Sequence, residues 1–164
     1  MKNKNNGDNS ARFLLGQIFN PRGRTLIWVG VNPSKAAPGE ENLDNTIRKI
    51  RKISQYNGYE NWIVINLYPQ RTPNPDALHT VADAVLIREN LQNIQETLEQ
   101  HTQADIVLAY GNLIAKRKYL QQCYNQILLL AESRQIKVIK LTKKNNPVHP
   151  LYQANSSTLI DFYI

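Results

Sequence analysis

Four short, mainly apolar runs separated by segments of helical periodicity constrain this chain more than any other feature. The runs are 25–31 (TLIWVGV), 62–67 (WIVINL), 105–110 (DIVLAY) and 136–141 (IKVIKL). A strand that is covered on both faces reads as a near-continuous apolar stretch, whereas a half-exposed strand alternates. Between the runs, Leu43, Ile47, Ile50 and Ile53 recur at helical spacing, then Ile87, Leu91, Ile94 and Leu98, then Leu120, Tyr124, Ile127, Leu128 and Ala131. Asn42 or Asp44 can cap the first of these helices, and Asn57-Gly58 ends it. Strand and helix in alternation predict an α/β fold, a three-layer α/β/α arrangement around a four-stranded parallel sheet. At 164 residues the chain is one domain long. We read residues 11–164 as that domain and residues 1–10, polar and without periodicity, as a disordered basic tail.

Parallel strands place all their trailing loops at one edge of the sheet, where α/β proteins bind ligands. The unusual residues of this sequence fall in those loops: 30–34 (GVNPS), 66–71 (NLYPQR), 110–112 (YGN) and 143–152 (KKNNPVHPLY). Asn32 and Asn66 each close a strand, and an Asn there offers a carbonyl acceptor and two amide donors on a rigid mount, suited to a nucleobase edge or a water. The same residue could simply bond its own loop backbone. His149, between Val148 and Pro150, can donate to a developing anion or move a proton near neutrality, or can fix a proline-rich turn. Tyr68, Tyr110 and Tyr152 are candidate stacking platforms in the same cleft.

Lys and Arg number 20 against 13 Asp and Glu, a net charge of +7. Residues 1–60 carry ten basic and five acidic side chains, 61–115 carry two and six, and 116–164 carry eight and two. If folding joins the two basic thirds, they form a face that attracts polyanions. Lys116, Arg117 and Lys118 open the third predicted helix, where its dipole disfavours cations, so a phosphate near Gly111 and Asn112 could compensate, as could mere solvation. Ser34, Lys35, Arg71, Gly111, Asn112, Lys116, Lys143 and Lys144 are the candidate phosphate-binding residues.

One cysteine, Cys123, excludes an internal disulfide and a thiolate metal site supplied by this chain alone. No cofactor and no metal are expected, and no dinucleotide, P-loop or zincin pattern is present. No apolar run approaches the roughly 20 residues that span a bilayer, and 1–10 lacks the apolar core of a secretory signal, so no membrane partner and a cytoplasmic location are expected.

Taken together, Gly30 to Ser34, Asp44 to Arg48, Asn66-Leu67, Arg71 to Pro75, Tyr110-Gly111 and Pro147 to Tyr152 resemble an uncharacterised bacterial and phage family known only as a domain of unknown function. More distantly, the order of motifs is similar to the uracil-DNA glycosylase superfamily. That resemblance implies a parallel sheet of four strands, with Asn32 positioning an attacking water, Asn66 reading the base and His149 stabilising the departing base as an anion. The closing motif here continues Leu151-Tyr152 in place of the superfamily's Ser, and 30–34 holds no Asp or Glu. The expected function is recognition of a nucleobase in nucleic acid, DNA before RNA, or in a nucleotide, with hydrolysis of its N-glycosidic bond. The alternative is a noncatalytic binding module using the same cleft.

Overall fold

A computed structural model describes residues 1–34 and 44–164. Seven strands form one mixed sheet: β1 (Lys2–Asn5), β2 (Arg12–Gln17), β3 (Thr25–Gly30), β4 (Asn61–Asn66), β5 (Asp105–Leu108), β6 (Ile136–Val138) and β7 (Ile160–Asp161), in the order β1-β2-β4-β3-β5-β6-β7. The four expected strands are present, and β4, β3, β5 and β6 pair in parallel. The sheet as a whole is neither four-stranded nor all-parallel, because β1, β2 and β7 add antiparallel partners at its two ends. Three helices, α1 (Asn45–Tyr56), α2 (Ala84–Gln100) and α3 (Lys118–Leu130), follow β3, β4 and β5.

Alternation along the strands divides the core between two faces. Leu26 and Trp28 of β3 and Trp62 and Val64 of β4 are buried with Ile47, Ile50 and Ile53 of α1. Their neighbours Ile27, Val29, Ile63 and Ile65 are buried with Ile94 and Leu98 of α2 and with Leu120 and Ile127 of α3. The indole of Trp28, fully buried, donates to Ser54 Oγ at 3.0 Å, and that hydroxyl in turn donates to the Ile50 carbonyl, so both polar groups are satisfied within the core.

Three expectations fail for identifiable reasons. Residues 2–5, expected to lie in a disordered tail, form an edge strand. Its order comes from backbone pairing with β2 and from Lys4 on Glu96 at 3.1 Å, not from apolar burial, and its polar side chains suit an edge. The run 105–110 leaves the sheet after Leu108, although Ala109 still donates to the Val29 carbonyl before Gly111 turns the chain at φ +60°. The run 136–141 leaves after Val138. Lys140 and Leu141 instead pair with Val148 and Pro147 across a turn that Asn145 closes at φ +60°.

Asn61, 1% exposed at the start of β4, holds the β2–β3 connection together. Its Oδ1 accepts from the amides of Phe19 and Asn20, and its Nδ2 donates to the Asn20 carbonyl at 2.7 Å. Asn61→Ala strands those groups and should cost about 1–3 kcal/mol. Urea denaturation at unchanged m-value measures it, and a loss below about 0.5 kcal/mol, the scatter of ordinary surface changes, would refute the assignment.

Candidate functional site

The strand order reverses beside β3. Its successor β4 lies on one side and β5 on the other, so the loops after β3 and β5 diverge and leave a crevice at the carboxyl edge. A cleft of about 200 Å³ opens there on the α1 side of the sheet. Asn32, Pro33 and Ser34 line it after β3, Asn66 at the end of β4, Ala109 and Leu113 after β5, and His149 and Pro150 after the 140–148 turn. Trp28, Ile47, Ile50 and Val64 supply an apolar floor and wall.

The loops after β3 and β4 are zipped together beyond the sheet. Leu67 donates to the Gly30 carbonyl and Tyr68 to the Val31 carbonyl, both at 2.9 Å. Asn32 Nδ2 then donates to the carbonyls of Thr72 at 2.9 Å, Pro33 at 3.2 Å and Gln70 at 3.3 Å. Stapling of loop backbone is therefore the role that its amide nitrogen fills. Its Oδ1 accepts no hydrogen bond from the described residues.

Asn66 is different. It is 6% exposed, lines the cleft, and its carboxamide has no hydrogen-bond partner among the described residues. Its backbone carbonyl is engaged, accepting from Asn90 Nδ2 at 2.9 Å. Gly30 makes room for the side chain: a Cβ on Gly30 would lie 2.7 Å from Asn66 Oδ1. Glycine in the GVNPS loop thus serves close approach to a neighbouring side chain.

His149 caps the short 3-10 turn Pro150–Tyr152, its Nδ1 accepting from the Leu151 amide at 3.2 Å. An N–H aimed at Nδ1 fixes the neutral tautomer that carries its proton on Nε2, leaving one donor for the cleft. Burial lowers the pKa of the ring and Asp44 opposes that shift. Gly111 packs against His149 and donates its N–H to the Pro147 carbonyl at 2.8 Å.

Two wall residues are not marked as site residues by the sequence pattern. Arg12, 3% exposed in β2, lines the cleft, its pKa lowered to about 10 by burial first and by Arg71 second, with Asp44 opposing. It remains a cation at neutral pH. A charged residue directly before the short apolar stretch Phe13-Leu14-Leu15 is the available signal. Asp44 reads in sequence only as a helix cap, which it is: Oδ1 accepts from the Ile47 amide at 2.8 Å. Its Oδ2 also accepts from Ser34 Oγ at 2.6 Å, and the residue lines the cleft.

The other candidates are placed elsewhere. Tyr68 is fully buried on the opposite face, its hydroxyl 2.6 Å from His79 Nδ1 and accepting from the Asp83 amide. Tyr110 lies on that same face, edge-on to Tyr124 with ring centroids 5.0 Å apart. Tyr152 is 87% exposed outside the cleft. None of the three tyrosines can stack within it. Arg71 bonds the Ser34 carbonyl and Asn9 Oδ1, joining the first loop to the β1–β2 turn. The N–H of Gly111 is already used, and Asn112 Oδ1 accepts from Thr142 and Asn146. Lys116 ends a 3-10 turn and pairs with Asp76. Arg117 is the N-cap of α3, with its guanidinium on the carbonyls of Asp76, Leu78 and His79. Carbonyls thus compensate the Arg117 cation at that helix start, and a phosphate is not needed there. Lys143 and Lys144 are exposed on their turn, and Lys35 lies outside the described residues. Among the described residues no group of His, Cys, Asp and Glu could hold a metal, and no helix is long and apolar enough to cross a membrane.

A depressed His149 pKa favours the neutral ring in the folded chain. The stability it contributes is complete above the unfolded value of about 6.5 and is lost as the pH falls through the folded value. His149→Gln should therefore lose less stability than the wild type as the pH drops below about 6.5. Nitrogen-15 NMR of the ring should show the Nε2–H tautomer at pH 7, and a protonated ring there would contradict the geometry.

Residues 12–151 match the model of a family described as "Protein of unknown function (DUF1643)". No curated protein and no solved structure matches the chain.

Proposed function

We infer the function of this chain, which belongs to that family of unknown function, from its cleft: it is a nucleobase-recognising protein of uracil-DNA glycosylase-like type that hydrolyses an N-glycosidic bond in nucleic acid or in a nucleotide. The observation that carries the reading is Asn66. Its carboxamide opens into the cleft with neither the oxygen nor the nitrogen engaged by the described residues, so a ligand edge offering one donor and one acceptor can pair with both. Nucleobases have such edges. The cleft, smaller than the roughly 300–1,000 Å³ that drug-sized ligands fill, suits a single ring system walled by apolar side chains.

Hydrolysis adds the oxygen of water to the sugar carbon as the bond to the base nitrogen breaks and its electron pair leaves with the base. Negative charge then grows on the base, where His149 Nε2–H can donate to it, with Arg12 adding a fixed positive charge in the wall. The attacking water loses a proton. Asn32 Oδ1 and the Asp44 carboxylate are the acceptors in the cleft that can orient this water, and the carboxylate can receive its proton, which finally goes to the departing base.

One observation favours the noncatalytic alternative. The amide nitrogen of Asn32 is spent on three backbone carbonyls, so the residue implied to position water has only its oxygen left. Mass-spectrometric detection of free bases, released from DNA, RNA and nucleosides with normal and modified bases, decides between the two. With a responsive substrate, His149→Ala should cut turnover by roughly 10²–10³ with ground-state binding nearly unchanged. Asn66→Ala should lose discrimination between bases, and Gly30→Ala should mimic it by displacing the carboxamide. Absence of released base from every substrate, with base binding retained, leaves the binding module.

A further inference from the structure

The sheet separates the charge of this protein. On the α2 and α3 side, Arg88 and Lys118 are offset by Glu89, Glu96 and Glu99. On the α1 side, the basic residues of α1 itself lie on the same face of the sheet as Lys140, Lys143 and Lys144 from the last third of the sequence. Ile139 and Val148, which bracket the turn carrying Lys140, Lys143 and Lys144, are buried with Ile47, Ile50 and Ile53 of α1. The segment after the cleft runs along the same helix, pinned by Lys49 Nζ on the Gln153 carbonyl at 2.6 Å and Asn57 Nδ2 on the Ser157 carbonyl at 2.8 Å. From 139 to 159 it contains no acidic residue.

Arg48, Lys52 and Tyr56 stand one turn apart on α1 and all three are exposed, Tyr56 by 58%. Arg48 and Lys52 have no ion-pair partner among the described residues. Tyr152 is the residue next but one to Pro150, which lines the cleft, and precedes the Gln153 that Lys49 holds. An exposed aromatic therefore stands between the cleft and a basic helix face. A duplex offers phosphates to such a surface but keeps its bases stacked, whereas a single strand offers both phosphates and free base faces.

We propose that the exposed face of α1, with Tyr152 and the Lys143-Lys144 turn, is a binding surface for single-stranded nucleic acid, tracking its phosphates with Arg48 and Lys52 and stacking its bases on Tyr152 and Tyr56. The inference deepens the function proposed above by naming the form of its partner. It rests on that reading for the base that enters the cleft and not for the grip on the strand.

Fluorescence anisotropy of the full chain with a labelled 20-nucleotide DNA single strand and the matching duplex, over a range of salt, tests the surface. The single strand should bind more tightly, and its log affinity should fall linearly with log salt. Arg48→Gln with Lys52→Gln should lower that slope by about 1.4, or roughly 0.7 for each phosphate no longer neutralised. Tyr152→Ala should weaken single-strand binding by roughly ten-fold. Arg88→Gln with Lys118→Gln, an equal removal of charge from the other face, should change it little. Equal or tighter binding of the duplex, no binding at low salt, or equal effects from both double variants would each overturn the proposal. Base release with intact dependence on Asn66 but none on α1 would overturn this surface and leave the cleft reading standing. Strand binding through α1 without base release would leave this surface standing and overturn the hydrolysis.

Discussion

The site depends on how closely the loop after β3 approaches the end of β4. Parallel pairing of Gly30 with Asn66 continues past the sheet through the amides of Leu67 and Tyr68, and the Asn32 amide then fastens the two loops at Gln70 and Thr72. The Asn66 side chain sits in the space that a side chain on Gly30 would occupy. Such a frame keeps the Asn66 carboxamide at the end of β4 turned to the cleft with its polar atoms available there. The walls from His149 and Asp44 are built onto this frame by local capping bonds.

Much of the fold is legible in the sequence because burial on two faces writes itself as unbroken apolar runs, and all four runs form parallel strands. The antiparallel additions are not legible. In β1 every side chain is polar, and β2 begins on Arg12 and holds Gly16 and Gln17, so neither shows the apolar period that marks a strand. Their order comes from hydrogen bonds to partner strands, which local pattern does not encode. The same limit explains the lost ends of 105–110 and 136–141, where an apolar run outlasts its sheet partners.

The site is legible in its loops and less so in its side chains. Asn32, Ser34, Asn66 and His149 converge because parallel strands place their trailing loops at one edge. The tyrosines do not converge. Position after a strand fixes the edge of the sheet but not the face, and Tyr68 and Tyr110 turn toward α2 and α3. Arg12 is hidden because it enters from an antiparallel strand, and Asp44 because capping accounts for it.

Asp44 carries a further consequence. One carboxylate holds the first turn of α1, anchors the Ser34 hydroxyl and forms a wall of the cleft. Removing a cap costs about 1 kcal/mol in its own right, so this position cannot vary for one purpose without disturbing the others. The helix that carries the basic face is fastened at its amino end to the rim of the cleft. Both carboxylate oxygens are already engaged, Oδ1 by the Ile47 amide and Oδ2 by the Ser34 hydroxyl, so any change that drew Oδ1 into the cleft would be felt at the first turn of α1.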